Sequence, residues 1–291
     1  MPRKKKTQQS IFSTLKKVKL STYVIGFTIL CVVYFTYRYR HGINYYFSII
    51  EKSLKGEKLT DDKVTKYDIR NIEVMDKYYL KTFGVDVSHY QGKIDWTKMH
   101  TIYNLYPINF AFIRSTMGTS SIDETFEDNW EGAKENNILR GAYHFYRPDE
   151  NSTLQAQNFI ATVPNKPDAL PPVMDLEYDS NCINTHTKEQ LLKQIQIMHD
   201  QLRSHYDKQP IFYTSKAFYN IVLLGEFKNT PIWIREYKEQ PNLKDGRKWT
   251  FWQHNNQGKI SGIEKPVDLN VFYADAQAWQ QFLKKSQIIQ Q

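Results

Sequence analysis

The sequence predicts an α/β fold, a barrel of eight strands with intervening helices, preceded by a single transmembrane helix. Three observations carry that expectation. Leu20 to Tyr37 is an uncharged apolar run with basic residues on both sides. From Leu80 onward, short apolar runs alternate with amphipathic stretches, the spacing of strand followed by helix. Several of those apolar runs end in acid, most sharply Val173-Met174-Asp175-Leu176-Glu177.

The N-terminal region is basic. Residues 1–79 hold 16 Lys/Arg against 7 Asp/Glu, whereas residues 80–291 hold 23 against 24, so the formal net charge of +8 belongs to the first part. A neutral body lacks the basic face of a nucleic-acid-binding domain. The 18 residues of Leu20–Tyr37 are near the lower limit for a bilayer span. Tyr23, Tyr34, Phe35 and Tyr37 suit the interfaces, and Arg38 and Arg40 close the run. A cleaved signal peptide needs small residues at its cleavage site, and Val32-Val33-Tyr34-Phe35-Thr36-Tyr37 is bulky. The expectation is an uncleaved signal anchor over 20–37 in the cell membrane, with a basic cytoplasmic tail at 1–19 and the body outside the cytoplasm. Residues 38–79 read as a stem, partly helical near Ile43–Leu54, and 80–291 as the barrel domain. Of the two cysteines, Cys31 lies in the apolar run and Cys182 in the polar body, so the fold stands on its core rather than on a disulfide.

The body's elements follow in order. Phe83–Val87 is a strand, and Asp95 is placed to cap a helix through Asn104. Ile108–Ser115 is a strand, Glu124–Asn137 a helix, Leu139–Tyr146 a strand and Ser152–Val163 a helix. Pro171–Glu177 follows as a short buried strand. Thr187–Tyr206 is a long helix with Thr187 as its N-cap. Pro210–Tyr213 is a strand and Lys216–Leu224 a helix. Pro231–Ile234, Trp249–His254 and Val267–Val271 are three more strands, and Ala274–Lys285 is a closing helix. Eight strands with fewer helices late in the chain fit a (β/α) barrel.

Function in such barrels collects at the C-terminal ends of strands. Asp175 and Glu177, two apart on a strand, share a face. Like charges that close resist joint ionisation, so one group keeps its proton and can donate it. Paired acid and anion is what glycosidic bond cleavage requires. Taken alone, such a pair is better explained as a solvated strand end. The other ends add Asp86 and Asp268, with Tyr143, Tyr213, Trp233, Trp252, Gln253 and Asn270 beside them. Aromatic faces stack on sugar rings, and pockets favour aromatic walls with few polar groups. The same aromatics are also compatible with plain core.

As a set, these segments resemble the glycoside hydrolase family 25 lysozymes, the Chalaropsis-type muramidases. The matching residues are Gly84-Val85-Asp86-Val87-Ser88-His89-Tyr90-Gln91-Gly92, Ile94-Asp95-Trp96, Phe110-Ala111-Phe112-Ile113-Arg114, Gly141-Ala142-Tyr143-His144-Phe145, Met174-Asp175-Leu176-Glu177, Tyr213-Thr214-Ser215, Trp233-Ile234, Trp252-Gln253 and Val267-Asp268-Leu269-Asn270. They run from about Phe83 to Trp279 and leave 1–79 uncovered. The resemblance implies a modified (β/α)8, TIM-like barrel that hydrolyses the β-1,4 bond between N-acetylmuramic acid and N-acetylglucosamine in peptidoglycan glycan strands. It implies Glu177 as general acid/base and Asp175 as its partner, either nucleophile or orienter of the substrate acetamido group. Asp86 and Asp268 would be supporting acids. Whether the intermediate is a glycosyl-enzyme or an oxazolinium stays open. Three departures stand out: Met117 replaces a frequent acid, Arg235 replaces a commonly small residue, and His254 stands where an aromatic is frequent.

No H-E-x-x-H or Cys/His cluster signals a metal, and no phosphate loop a nucleotide, so no cofactor is expected. His89 and His144 read as hydrogen-bonded strand-end residues, and Asp123 with its acidic neighbours as a helix start near the dipole. A monomer is expected. Competing readings are a hydrolase of chitin-type polymers, disfavoured because Ala169–Met174 contains no Asp, and a tethered non-catalytic barrel, which would mark itself by losing one of the four acids.

Overall fold

The computed structural model describes residues 19–40, 43, 47, 65–177 and 185–288. The basic tail, most of the expected stem, and Cys182 lie outside the described residues. Two compact units divide the chain, Met1–Thr60 and Asp61–Gln291.

In the first unit, α1 (Leu20–Arg38) is a single helix of 19 residues. A rise of about 1.5 Å per residue makes it about 28 Å long, close to the hydrocarbon thickness of a bilayer. None of the side chains of Leu20–Tyr37 is buried. It is the one helix among the described residues long and apolar enough to cross a membrane. Its Thr28 hydroxyl donates to the Val24 carbonyl (2.9 Å), which satisfies that hydroxyl within the helix.

The second unit begins with α2 (Lys66–Lys77), then β1 (Lys81–Val87), β2 (Thr101–Ile102), β3 (Tyr106–Met117) and β4 (Ser121–Ile122). Next come α3 (Phe126–Glu135), β5 (Leu139–Phe145), α4 (Ser152–Thr162), β6 (Val173–Asp175), α5 (Lys188–Tyr206) and β7 (Ile211–Ser215). A helical turn (Lys216–Phe218) running into a π turn (Tyr219–Leu223) leads to β8 (Ile232–Arg235), β9 (Phe251–Gly258), β10 (Val267–Asp275) and α6 (Ala276–Lys285). Strands β3, β5, β6, β7, β8 and β9 run parallel in that order, and β1 lies parallel to β3. β10 runs antiparallel between β9 and β1 and closes an eight-stranded barrel. This reversed last strand, with no helix among the described residues between β8 and β10, is the modification of the barrel.

Local chemistry sets these boundaries. Thr187 and Gln190 form a capping box at α5, Asn151 caps α4 and Asp275 caps α6. The barrel interior is aromatic: Phe110, Phe112, Phe251 and Phe272 are fully buried, and Phe112 stacks on Trp233 with centroids 4.5 Å apart. That filling leaves no room at Gly141, where a Cβ would lie 2.8 Å from the Phe112 ring.

Two expectations differ from the structure. Asp95 caps no α-helix. Its carboxylate is taken by Thr97 Oγ1 (2.5 Å) and Lys98 Nζ (2.7 Å), and only a 3-10 turn, Trp96–Lys98, precedes β2. The second half of the expected stem is α2, which packs on the barrel. Asp68, Asn71, Ile72, Met75 and Asp76 are buried in it. Its acids look solvent-facing in sequence but have partners: Tyr103 donates to Asp68 (3.0 Å), Tyr106 to Asp76 (2.6 Å), and Lys259 pairs with Asp68 (3.3 Å). Arg70 donates to the His254 carbonyl on β9 (2.8 Å).

Candidate active site

Because β10 is antiparallel, its first residues lie at the mouth where the parallel strands end. Asp268, near the start of β10, is the register partner of Asp86, near the end of β1. Asp175 ends β6 and pairs in register with Tyr213 on β7, and Tyr213 with Trp233 on β8. Glu177 lies two residues beyond the strand. Its N–H donates to Asp175 Oδ1 (3.2 Å), a turn that keeps both carboxylates on one pocket. That pocket has a volume of about 400 Å³ and includes all four acids with Tyr143, Tyr213, Trp233 and Gln253 in its wall. A wider groove of about 690 Å³ opens beside Lys81, at the opposite end of β1, and contains a single acid, Asp275.

A relay of hydrogen bonds fixes Asp86. Tyr213 and Tyr237 both donate to Gln253 Oε1 (2.9 Å each), which turns the Gln253 amide nitrogen onto both Asp86 oxygens (3.1 and 2.9 Å). Asn270 donates to Asp86 Oδ2 (2.7 Å) and accepts from the Trp233 indole (2.8 Å). Glu177 is paired with Arg235, whose Nη1 is 2.7 Å from Oε2.

The acids hold protons more tightly than free carboxyls do. Burial pushes Asp86 up to about 7 against the pull of Asn270 and Gln253, with the Glu177 charge adding to the rise. Burial, then the charge of Glu177, lifts Asp175 well above the usual range. Asp268 is raised by burial and by the charges of Asp86 and Glu177. Glu177 is raised by burial, moderated by Arg235 and Tyr213. Burial, joined at Asp86, Asp175 and Asp268 by repulsion from neighbouring acids, thus favours the protonated form at each of the four.

Two expected wall residues stand elsewhere. Trp252 alternates with Gln253 and therefore faces out of the barrel. Its indole donates to the Glu236 carbonyl (2.7 Å) and its ring meets Tyr78 edge-on at 5.8 Å. Asn270 is fully buried behind Asp86 and is not part of the pocket wall. Conversely, Arg114, Met117, Arg235, Tyr237 and Tyr90 line the pocket and were absent from the sequence-derived site. The signal for Arg235 was present: it sits two residues after Trp233 on one strand. His144 is fully buried between Thr116 (2.7 Å) and Gln155 (3.1 Å), and burial lowers it to about 4. Asp123 does more than sit near a helix dipole, accepting from both the N–H and the ring of His89 (3.0 and 2.8 Å).

A closed barrel with a carboxylate cluster and aromatic wall at its mouth is the framework of a glycoside hydrolase. Residues 85–263 match the model for "Glycosyl hydrolases family 25". The chain is 34% identical over 201 residues to "Uncharacterized protein YegX" of Escherichia coli K12, covering 69% of this chain and 72% of that one. It is 31% identical over 207 residues to "Lysozyme M1" of Streptomyces globisporus, covering 66% and 68%. Among solved structures, a family 25 glycosyl hydrolase from Bacillus anthracis superposes with a TM-score of 0.64 at 38% identity, covering 70% of this chain and 94% of that one. The chain belongs to glycosyl hydrolase family 25 and is a glycoside hydrolase.

Proposed function

We propose that the chain is a muramidase, cutting the β-1,4 bond between N-acetylmuramic acid and N-acetylglucosamine in peptidoglycan. The observation that carries this reading is the convergence of Asp86, Asp175, Glu177 and Asp268 on one aromatic-walled pocket, together with membership of a family whose named relatives include lysozymes and N,O-diacetylmuramidases. Glu177, beyond the strand end at the mouth, gives its proton to the glycosidic oxygen and later takes one from the attacking water. Asp175 supports the anomeric side, as nucleophile or by holding the acetamido group. Asp86 and Asp268, side by side on β1 and β10, stabilise positive charge developing on the sugar ring. Tyr143, Tyr213, Trp233 and Gln253 supply the sugar contacts. α1 anchors the enzyme in the membrane with its catalytic body outside the cytoplasm.

The test is the identity of the new chain end. Digested peptidoglycan, reduced with borohydride and analysed by mass spectrometry, is expected to contain N-acetylmuramic alcohol. N-acetylglucosamine alcohol would indicate a glucosaminidase instead, and a 1,6-anhydro product a lytic transglycosylase. Release from chitin but not from peptidoglycan would support the chitin-type reading.

A further inference from the structure

Arg235 is at odds with the chemistry assigned to its partner. A general acid must hold a proton, whereas a guanidinium 2.7 Å from Glu177 Oε2 favours the bare carboxylate. Burial lifts Glu177 while Arg235 pulls against it, so opening the pair would make Glu177 a readier proton donor. Arg235 is the more exposed of the pair, 38% against 24% for Glu177, and its guanidinium has a second neighbour in the Tyr237 ring, 6.0 Å from the centroid. What draws a guanidinium off a carboxylate is another carboxylate, because its planar fork matches that geometry.

The surrounding charge points the same way. Two of the three departures from the family pattern line this pocket, Met117 where an acid is frequent and Arg235 where a small residue is common, and these two make it more positive. Arg114 also lines it and donates to Met117 Sδ (3.3 Å), a weak acceptor. Two guanidiniums thus line a pocket whose four acids are all held above the ordinary carboxyl range, a balance suited to an anionic ligand group.

We propose that Arg235 is a specificity-determining latch: it rests on Glu177 and transfers to a carboxylate of the bound glycan, so that strands carrying a carboxylate near the scissile bond are cut in preference to neutral ones. This rests on the muramidase reading. The carboxylate has two chemical sources, the lactyl group of a muramic acid whose stem peptide has been removed, or the stem peptide itself.

The test uses the full chain purified in detergent and three forms of one glycan: peptide-free strands, the same strands with their lactyl carboxylates converted to methylamides, and peptide-bearing strands. Wild type is expected to favour a carboxylate-bearing form over the amidated one in kcat/KM. Arg235→Gln should reduce that preference by about 10–100-fold, the range of a charge-assisted hydrogen bond. Arg235→Lys, which keeps the charge but not the fork, should lose only part of it and serves if the Gln variant fails to fold. Preference for the peptide-free form identifies the lactyl source, and preference for the peptide-bearing form the peptide source. On amidated strands the alkaline limb of the pH profile should move up by about one unit in Arg235→Gln, since Glu177 has lost its cation, and stay in place in Arg235→Lys. An unchanged preference in both variants overturns the latch while leaving the muramidase reading intact. A wild-type chain that cuts none of the three overturns both.

Discussion

Glu177 and Asp86 show how differently two carboxylates behave within one pocket. Glu177 is at the mouth, ion-paired with Arg235, whereas Asp86 is held by two amide side chains whose own orientation is set by Tyr213, Tyr237 and Trp233. Glu177→Gln retains the shape and removes the proton, so activity on peptidoglycan should fall by about 10²–10⁴-fold while the melting temperature stays close to wild type. Near-normal turnover would remove Glu177 from the mechanism. For Asp86 the expected signature is thermodynamic. It titrates near 7 in the folded chain, against about 3.9 when unfolded, so the native state binds the extra proton between those values. Its stability contribution is complete below about pH 4 and is lost as pH rises through 7. In Asp86→Asn that contribution has no pH dependence. The melting temperature of the variant minus that of wild type should therefore climb between pH 4 and 7 and level off above; a flat difference would mean that Asp86 is ionised throughout. The acids were legible because strand-end carboxylates after apolar runs are rare. Trp252 was misplaced because an aromatic beside a site residue carries no mark of which face it takes; the alternation with Gln253 settles that only once the register is known.

At the scale of elements, α2 changes where the folded body starts. Its Met75 is fully buried and its Asp68 and Asp76 are bonded to tyrosines of the barrel, so we propose that the barrel unit begins near Thr65, whose capping box with Asp68 starts the helix. Met75→Ala should cost about 2–5 kcal/mol in chemical denaturation. A chain trimmed to begin at Asp76 should melt well below one that begins before Thr65; equal melting temperatures would return α2 to the stem. In sequence this helix looks like linker because it is half charged, and burial of a charged residue shows only when its partner, here a tyrosine some thirty residues away, is in place. The long helix α5, by contrast, was readable to the residue because its cap is local, Thr187 with Gln190.

At the scale of the molecule, eight strands and their order of closure follow from alternation in the sequence, but the antiparallel sense of β10 does not, since a short apolar run has no direction in its composition. The apolar helix α1 and the basic residues before it motivate a test of topology. Alkaline phosphatase fused after Gln291 should be active in bacterial cells and a fluorescent cytoplasmic reporter at the same position dark; the reverse pattern would place the body inside. The reversed closing strand also bears on when, during synthesis, the candidate site is completed. Asp86 lies on the first barrel strand, and the groups that hold or face it, Gln253, Asp268 and Asn270, lie on the last two. Chains are made from the N-terminus, so a growing or partly exported chain has its acid pair at Asp175 and Glu177 long before Asp86 has anything to hold it. If the four acids act together as proposed, the site is complete only once β9 and β10 have joined β1, and a chain truncated before Phe251 is expected to show no hydrolase activity on peptidoglycan.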